Sequence, residues 1–390
     1  MSGHGSSRPR HVTRRGTALP LALVLLTVGA VLATAGEATM RDGVRASRAS
    51  VAALQARATS EAAVAWAQRH WSPGWVLALR PGGTRRVSVT TAAGTATLDV
   101  VRLDVHRYLL VAESRVATGV VGAGSLAVRR AGAFVRLSRV WIAPPAALTS
   151  GGAVVAAAGA VLRGGDVAPA GWDCPPPLPV PADLAIGADA DSVGVAPDVP
   201  AAHRVLVTPA ARDDATFDVY GDQSWDALVQ RADVVVPSGT DVSPLPREAG
   251  GACVVDVGSW GEPRRGAGAS AACTEVAPVV HVRGAEVTRL RGPARMQGIL
   301  LVDGDLEVEG DVAITGVVIV RGALRAPNAS MRVTGALLVR QRAAATGAAH
   351  AVVLGPASVV ESSSCAVTTV TLVASRVMSL GRRGGVTVTR

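Results

Sequence analysis

The sequence predicts a mainly β protein with one long N-terminal α-helix and a short β-solenoid of about 18-residue turns in its C-terminal third. Three observations carry this. From Thr17 to Gly36 the chain has no charged residue, and it then runs straight into an Ala-, Arg- and Glu-rich stretch that ends near Trp71. Between about Trp75 and Trp141, Val, Thr and Leu recur at period two. From residue 298 on, glycines fall six apart, at Gly298, Gly304, Gly310, Gly316 and Gly322.

The uncharged run, TALPLALVLLTVGAVLATAG, is long enough at ~1.5 Å per residue to span a hydrocarbon core of ~30 Å. The stretch from Glu37 onward is built of good helix formers. Val44, Val51, Leu54, Ala58, Ala62 and Ala65 recur at spacings of three, four and seven, which marks a weakly apolar stripe on an amphipathic helix. The two halves form one helix, on the order of 80 Å long. Pro73, just past Trp71, closes it.

Ahead of the run stand Arg14, Arg15 and Gly16. The order Arg15-Gly16-Thr17-Ala18-Leu19, then an aliphatic run, then an Arg-, Ala- and Glu-rich helix, resembles the N-terminus of PilX-type minor pilins. The resemblance covers about 55 residues. It implies that a prepilin peptidase cuts after Gly16, making Thr17 the mature N-terminus. It also implies a single-pass protein of the inner membrane, N-terminus inside and head exported, whose partners are other pilin-like subunits, the assembly machinery and membrane lipid. Leu19, Leu21, Leu23, Leu25 and Leu26 would form the membrane and helix-packing surface. Two positions depart from the major-pilin pattern. Pro20 is fourth, and Leu21 stands fifth, where major pilins carry a glutamate, which points to assembly, priming or a tip position. Other readings of the same stretch are a secretory signal cut near Ala33-Thr34-Ala35, a twin-arginine signal at Arg14-Arg15, and a plain single-span anchor.

Charge agrees with export. All 39 basic residues are arginine. The leader's Arg8, Arg10, Arg14 and Arg15, with no acid among them, leave 35 arginines against 30 acids from Thr17 on. A basic leader fits the cytoplasmic side. No basic run interleaved with aromatics occurs, so no specific nucleic acid is expected.

Further along, 1–16 reads as the leader, 17–72 as transmembrane and stem helix, and 73–148 as a small β-sheet head. Val87, Val89, Leu98, Val100, Leu103 and Val105 fit antiparallel strands, with Phe134–Leu137 and Val140–Ile142 as further ones. Residues 149–278 form an irregular Gly/Pro-rich β region. In it, 151–166 has the look of extra solenoid turns, and a helix around Ser224–Ala232 has Asp222 or Ser224 to cap it. Four cysteines in an oxidising compartment suggest two disulfides, with three pairings possible. The Gly- and Ser-rich loop between Cys253 and Cys273 needs a staple, so these two are expected to pair, and Cys174 then with Cys365. Such a loop closure contributes about 3 kcal/mol.

The solenoid is assigned to 279–355, with 356–390 a return segment and tail tethered by Cys365. Three hexads make a turn, starting at Gly298, Gly316 and Gly335, with one residue inserted in the turn at 326–329. Period two within each hexad places Leu300, Val302, Leu306, Val308, Val312, Ile314, Val318, Val320, Leu324, Met331, Val333, Leu337 and Val339 inside. Glu307, Glu309, Asp311, Thr315 and Arg332 then face solvent. Ile299, Leu301, Val317, Ile319, Ala336 and Leu338 point outward yet are apolar, which calls for a cover. That cover is the helix near 224–232, the strands after Pro356, or a filament neighbour. The stretch 298–322 also resembles the C-terminal region of PilX-type assembly proteins.

No enzyme is expected. Gly258-Ser259-Trp260-Gly261 lacks one residue of a nucleophile elbow. Without lysine there is no phosphate loop of the Lys type, and the histidines show no spaced pair. Asp303, Asp305, Glu307 and Glu309 lack calcium-loop spacing, and Asp189 and Asp191 are weaker still. No cofactor or metal is assigned. The reading is a non-enzymatic pilin-like subunit; the alternative is an anchored or secreted β-solenoid surface protein with no pilus role.

Overall fold

The computed structural model describes residues 18–117, 126–138, 140, 142–172, 174, 182–187, 205–211, 213–263, 271–340 and 351–380. Gly16 and Thr17, the expected processing site, lie outside the described residues, as do Asp189 and Asp191.

Helix α1 (Ala18–Arg69) runs unbroken through both the apolar and the polar stretch. Ser72 and Pro73 then start a short α2 (Pro73–Ala78), proline sitting in the first turn, where its missing N–H costs nothing. Strands β1 (Thr84–Thr91), β2 (Gly94–Arg102), β3 (Arg107–Ala117) and β4 (Leu126–Leu137) come next as an antiparallel meander. Val377–Ser379 pairs antiparallel with β4 and brings the end of the described chain back to this sheet. Val89, Leu98, Val100, Tyr108, Leu110 and Val135 face the lower part of α1 and form one buried core with it. Two details differ from the sequence expectation. Leu103 and Val105 are exposed in the turn after β2, and Val140 makes only an isolated bridge to Gly221.

The rest of the chain is dominated by parallel pairing. Ala294–Val302, Asp311–Val320 and Ser330–Val339 lie side by side in register, Gly298 against Gly316 against Gly335. Val279–Arg283 and Val234–Pro237 extend this sheet on one side. Between these strands in sequence come shorter ones, Asp241–Val242, Thr288–Arg291, Leu306–Glu309, Leu324–Ala326 and Val352–Leu354, which stack in parallel as a second sheet. On the other side the stack is continued by an earlier part of the chain. Ala146–Ser150 pairs with Leu337–Val339, Val154–Ala156 with Val352–Leu354, and Val161–Arg163 with Val359–Glu361. Ala182–Ile186 and Val205–Val207 add two more parallel strands there.

All the positions assigned to the interior, Leu300 through Val339, lie in one buried cluster between the sheets. Full burial of each Val or Leu is worth roughly 1.5–3 kcal/mol, so this stack is the main apolar core. Of the positions expected to face solvent, Thr315 is instead buried. The repeating glycines have a steric cause. Gly316 has φ +133°, and a Cβ there would lie 2.1 Å from the Gly298 carbonyl oxygen one turn below. Gly335 repeats this on Gly316. Only glycine lets successive backbones stack so closely at this bend.

The outward apolar face is covered from within. Phe217, at the end of α3 (Asp214–Asp218), and Trp225 and Leu228 of α4 (Trp225–Val229) pack on it, with Val367 and Val370 of α6 (Ser364–Val373). Ser224 caps α4, its hydroxyl accepting the Ala227 N–H. The segment after Pro356 thus supplies a helix as well as the short strand Val359–Ser362. Its β-branched run reads as strand, but the Ser363 hydroxyl accepts the Ala366 N–H, Asp166 accepts from Ser364, and the apolar face finds a sheet to bury against.

Candidate functional site

Helix α1 presents two surfaces of different chemistry. In its upper half, Leu19 (80% exposed), Leu21, Leu23, Leu25 and Leu26 all stand free, and none of the most apolar 18-residue window is buried. It is a helix long and apolar enough to cross a membrane. Its few polar side chains are satisfied locally. Thr27 donates to the Leu23 and Val24 carbonyls, and Thr34 to that of Val31, leaving no hydroxyl in need of water.

The lower half is stem. Glu37–Arg41 and Arg57–Glu61 pair one turn apart on its surface. The face that packs on the meander is Ala52, Ala56, Thr59, Ser60, Ala63, Val64 and Ala67. This is not the stripe picked out by hydrophobicity. Val44, Val51, Leu54 and Ala58 of that stripe are exposed on the far side, while Ala62 and Ala65 are half-buried. Small side chains win the packing face because they let the helix lie close to the strands, where larger ones would hold it off. The Thr59 hydroxyl then reaches the Ala93 carbonyl at 2.6 Å, pinning the β1–β2 turn to the helix.

Below the stem, Trp71 packs edge-on against both Trp75 and Tyr108. Arg102 is almost wholly buried beside them. Its guanidinium donates to the Val76 and Leu79 carbonyls at 3.0 and 2.6 Å, closing the end of α2 onto the sheet. A charged cap of this kind, unexpected from the sequence, fixes where the stem meets the head.

The remaining candidates are structural. Cys253 bonds Cys273, and Cys174 bonds Cys365, the latter tying α6 to a segment 191 residues away. The acidic run is engaged in ion pairs or hydrogen bonds: Asp303 with His281, Asp305 with the Ala323 N–H, Glu307 with Arg289, and Glu309 with Arg291. Among the described residues no group of three or more His, Cys, Asp or Glu gathers as a metal site. Ser259 is buried and its hydroxyl accepts the Arg247 N–H. Sequence reasoning missed a latch on the outer face, where Arg321 and Arg340 grip Asp218, and Arg340 also grips Asp214. The Arg321 guanidinium lies 4.1 Å over the Trp225 ring. Its signal was there, since Arg321 and Arg340 come just after equivalent turns at the same register.

No family model, curated protein or solved structure matches the chain.

Proposed function

We propose that the protein is a non-enzymatic pilin-like subunit, a minor component acting in assembly, priming or at the tip of a type IV pilus or related filament. One observation carries this reading. A single 52-residue helix leaves its apolar half bare and lays its other half across an antiparallel four-stranded meander. In this reading the bare half holds the subunit in the inner membrane, N-terminus inside, until helix packing against sister subunits replaces lipid. The stacked parallel strands are then a β-solenoid, a rigid exported body in which no single turn buries its own apolar face. Leu21, where a glutamate would stand, takes away the carboxylate that would pair with a neighbour's mature amine, and so favours a tip or priming position over repeated insertion.

The test is a Gly16→Leu variant in the native host. Blocked processing should leave it as a membrane-bound precursor and remove it from sheared filaments that contain the wild-type protein. A variant that reaches filaments like wild type would rule the reading out. The large parallel stack, more than the helix needs as a head, favours as second reading an anchored surface protein without a pilus role. That reading expects the wild type to be absent from filaments altogether.

A further inference from the structure

A cleft of about 970 Å3 opens where the end of α1, the end of α6 and the loop closed by Cys253–Cys273 meet. Arg69, Arg231 and Arg376 line it, together with Asp233 and Glu275. Arg231 is committed to the fold, donating to the Ala374 and Ser375 carbonyls at the end of α6. Burial, and then the charge of Arg376 nearby, hold its guanidinium below the ordinary value. Asp233 likewise accepts the Val279 N–H at 2.8 Å. Arg69 and Arg376 are different. Both are exposed, and neither has a carboxylate partner among the described residues.

Of the remaining wall, Gly74, Gly251 and Ala252 line part, beside Trp71, Val255 and Val377. The wall carrying residues 251–253 is fixed by the disulfide to Cys273 at the end of short helix α5 (Ala271–Thr274). A ligand therefore meets a surface ordered in advance, which lowers the entropy lost on binding.

We propose that this cleft docks an extended peptide segment of a partner protein, which presents a carboxylate to Arg69 and Arg376. Charge and position decide the partner's class. Membrane headgroups are out of reach, because at ~1.5 Å per residue the helix lifts Arg69 ~50 Å beyond Gly36, the end of the apolar run. A regularly charged polyanion such as DNA or an acidic glycan would bring negative charge against Asp233 and Glu275 as well. A peptide places one carboxylate at the arginines and keeps neutral or basic residues by the acids, and a cleft of about 970 Å3 has room for several of its residues. The inference is independent of whether Gly16 is processed.

Binding is read by fluorescence anisotropy on the full chain in detergent micelles at low salt. The probe is a fluorescein-labelled peptide, Ala-Gly-Glu-Ala-Asp-Ala-Gly, beside its Gln/Asn counterpart and a heparin oligosaccharide. The acidic peptide should saturate, with the neutral counterpart at least 5-fold weaker. Arg69→Ala with Arg376→Ala should weaken the acidic peptide at least 5-fold without moving the Tm, and Arg376→Glu should shift preference to a Lys-containing peptide. Equal binding of the acidic and neutral peptides, unchanged binding by the double variant, no saturation, or heparin outcompeting the peptide would each overturn the proposal.

Discussion

Thr288 occupies an interior position of the parallel stack, paired with Leu306, which in turn pairs with Leu324 and that with Val352. It is fully buried and its hydroxyl has no hydrogen-bond partner among the described residues. A buried hydroxyl without a partner costs roughly 1–3 kcal/mol, so Thr288→Val, of nearly the same shape, should raise the Tm of the full chain. A fall in Tm would show that the hydroxyl is satisfied after all. Tyr108 gives a second test at this scale. Burial pushes its hydroxyl up to about 12, so the folded chain keeps a proton that an exposed tyrosine loses near 10. The stability tied to this proton is intact below about pH 10 and is lost as pH rises to about 12, an effect on the order of 2–3 kcal/mol. Lysine is absent and the only other tyrosine, Tyr220, is also held up by burial, so alkaline melting reads the tyrosines with little interference. Thermal melts at pH 9 and 11 should show a smaller loss for Tyr108→Phe than for wild type; identical losses would refute the assignment. Single residues are well marked where their type alone limits the backbone. Gly298, Gly316 and Gly335 are legible because a Cβ there meets a carbonyl of the neighbouring backbone, whereas nothing in Thr288 itself announces a buried position.

At the scale of elements, α1 shows what hydrophobicity misses. The stripe of larger residues points to one face, but the sheet takes the alanine face on the opposite side of the helix. Ala63 is fully buried against the meander and Leu54 is 67% exposed. Ala63→Glu should therefore bury a charge with no partner and destabilise the head by about 3 kcal/mol or more. Leu54→Glu should change stability by no more than ~0.5 kcal/mol. Comparing the two in thermal melts tests the packing face directly, and the reverse order would mean that the stem is rotated. A second element, α6, departs from its sequence pattern for a related reason. Its Thr- and Val-rich run favours strand, and only the cap at Ser363 and the waiting apolar face of the stack make it helix. Propensity loses to tertiary packing in both cases.

For the molecule as a whole, the six-residue glycine period and the interior pattern are visible because each turn repeats its own constraints. The far end of the stack is legible only in part. Residues 146–163 pair in parallel with 337–361 across nearly 200 residues. The Gly-punctuated runs of 151–166 have the look of further turns, and their strands Val154–Ala156 and Val161–Arg163 do join the stack, whereas nothing in Ala146–Ser150 announces its place there. Segments set apart in the sequence as 149–278 and 279–355 accordingly share both sheets. The disulfides are more legible, because a loop rich in Gly and Ser has little else to hold it, and the pairs expected are the pairs formed. The union of helix, meander and stack in one chain is what the pilin-like reading has to explain, and that reading rests on what happens at Gly16. The most direct measurement is the mature N-terminus, determined by mass spectrometry on protein from the native host with and without its prepilin peptidase. A start at Thr17 that is lost in the peptidase mutant is the predicted result. A start at Gly36, or an intact Met1 in both strains, would contradict it.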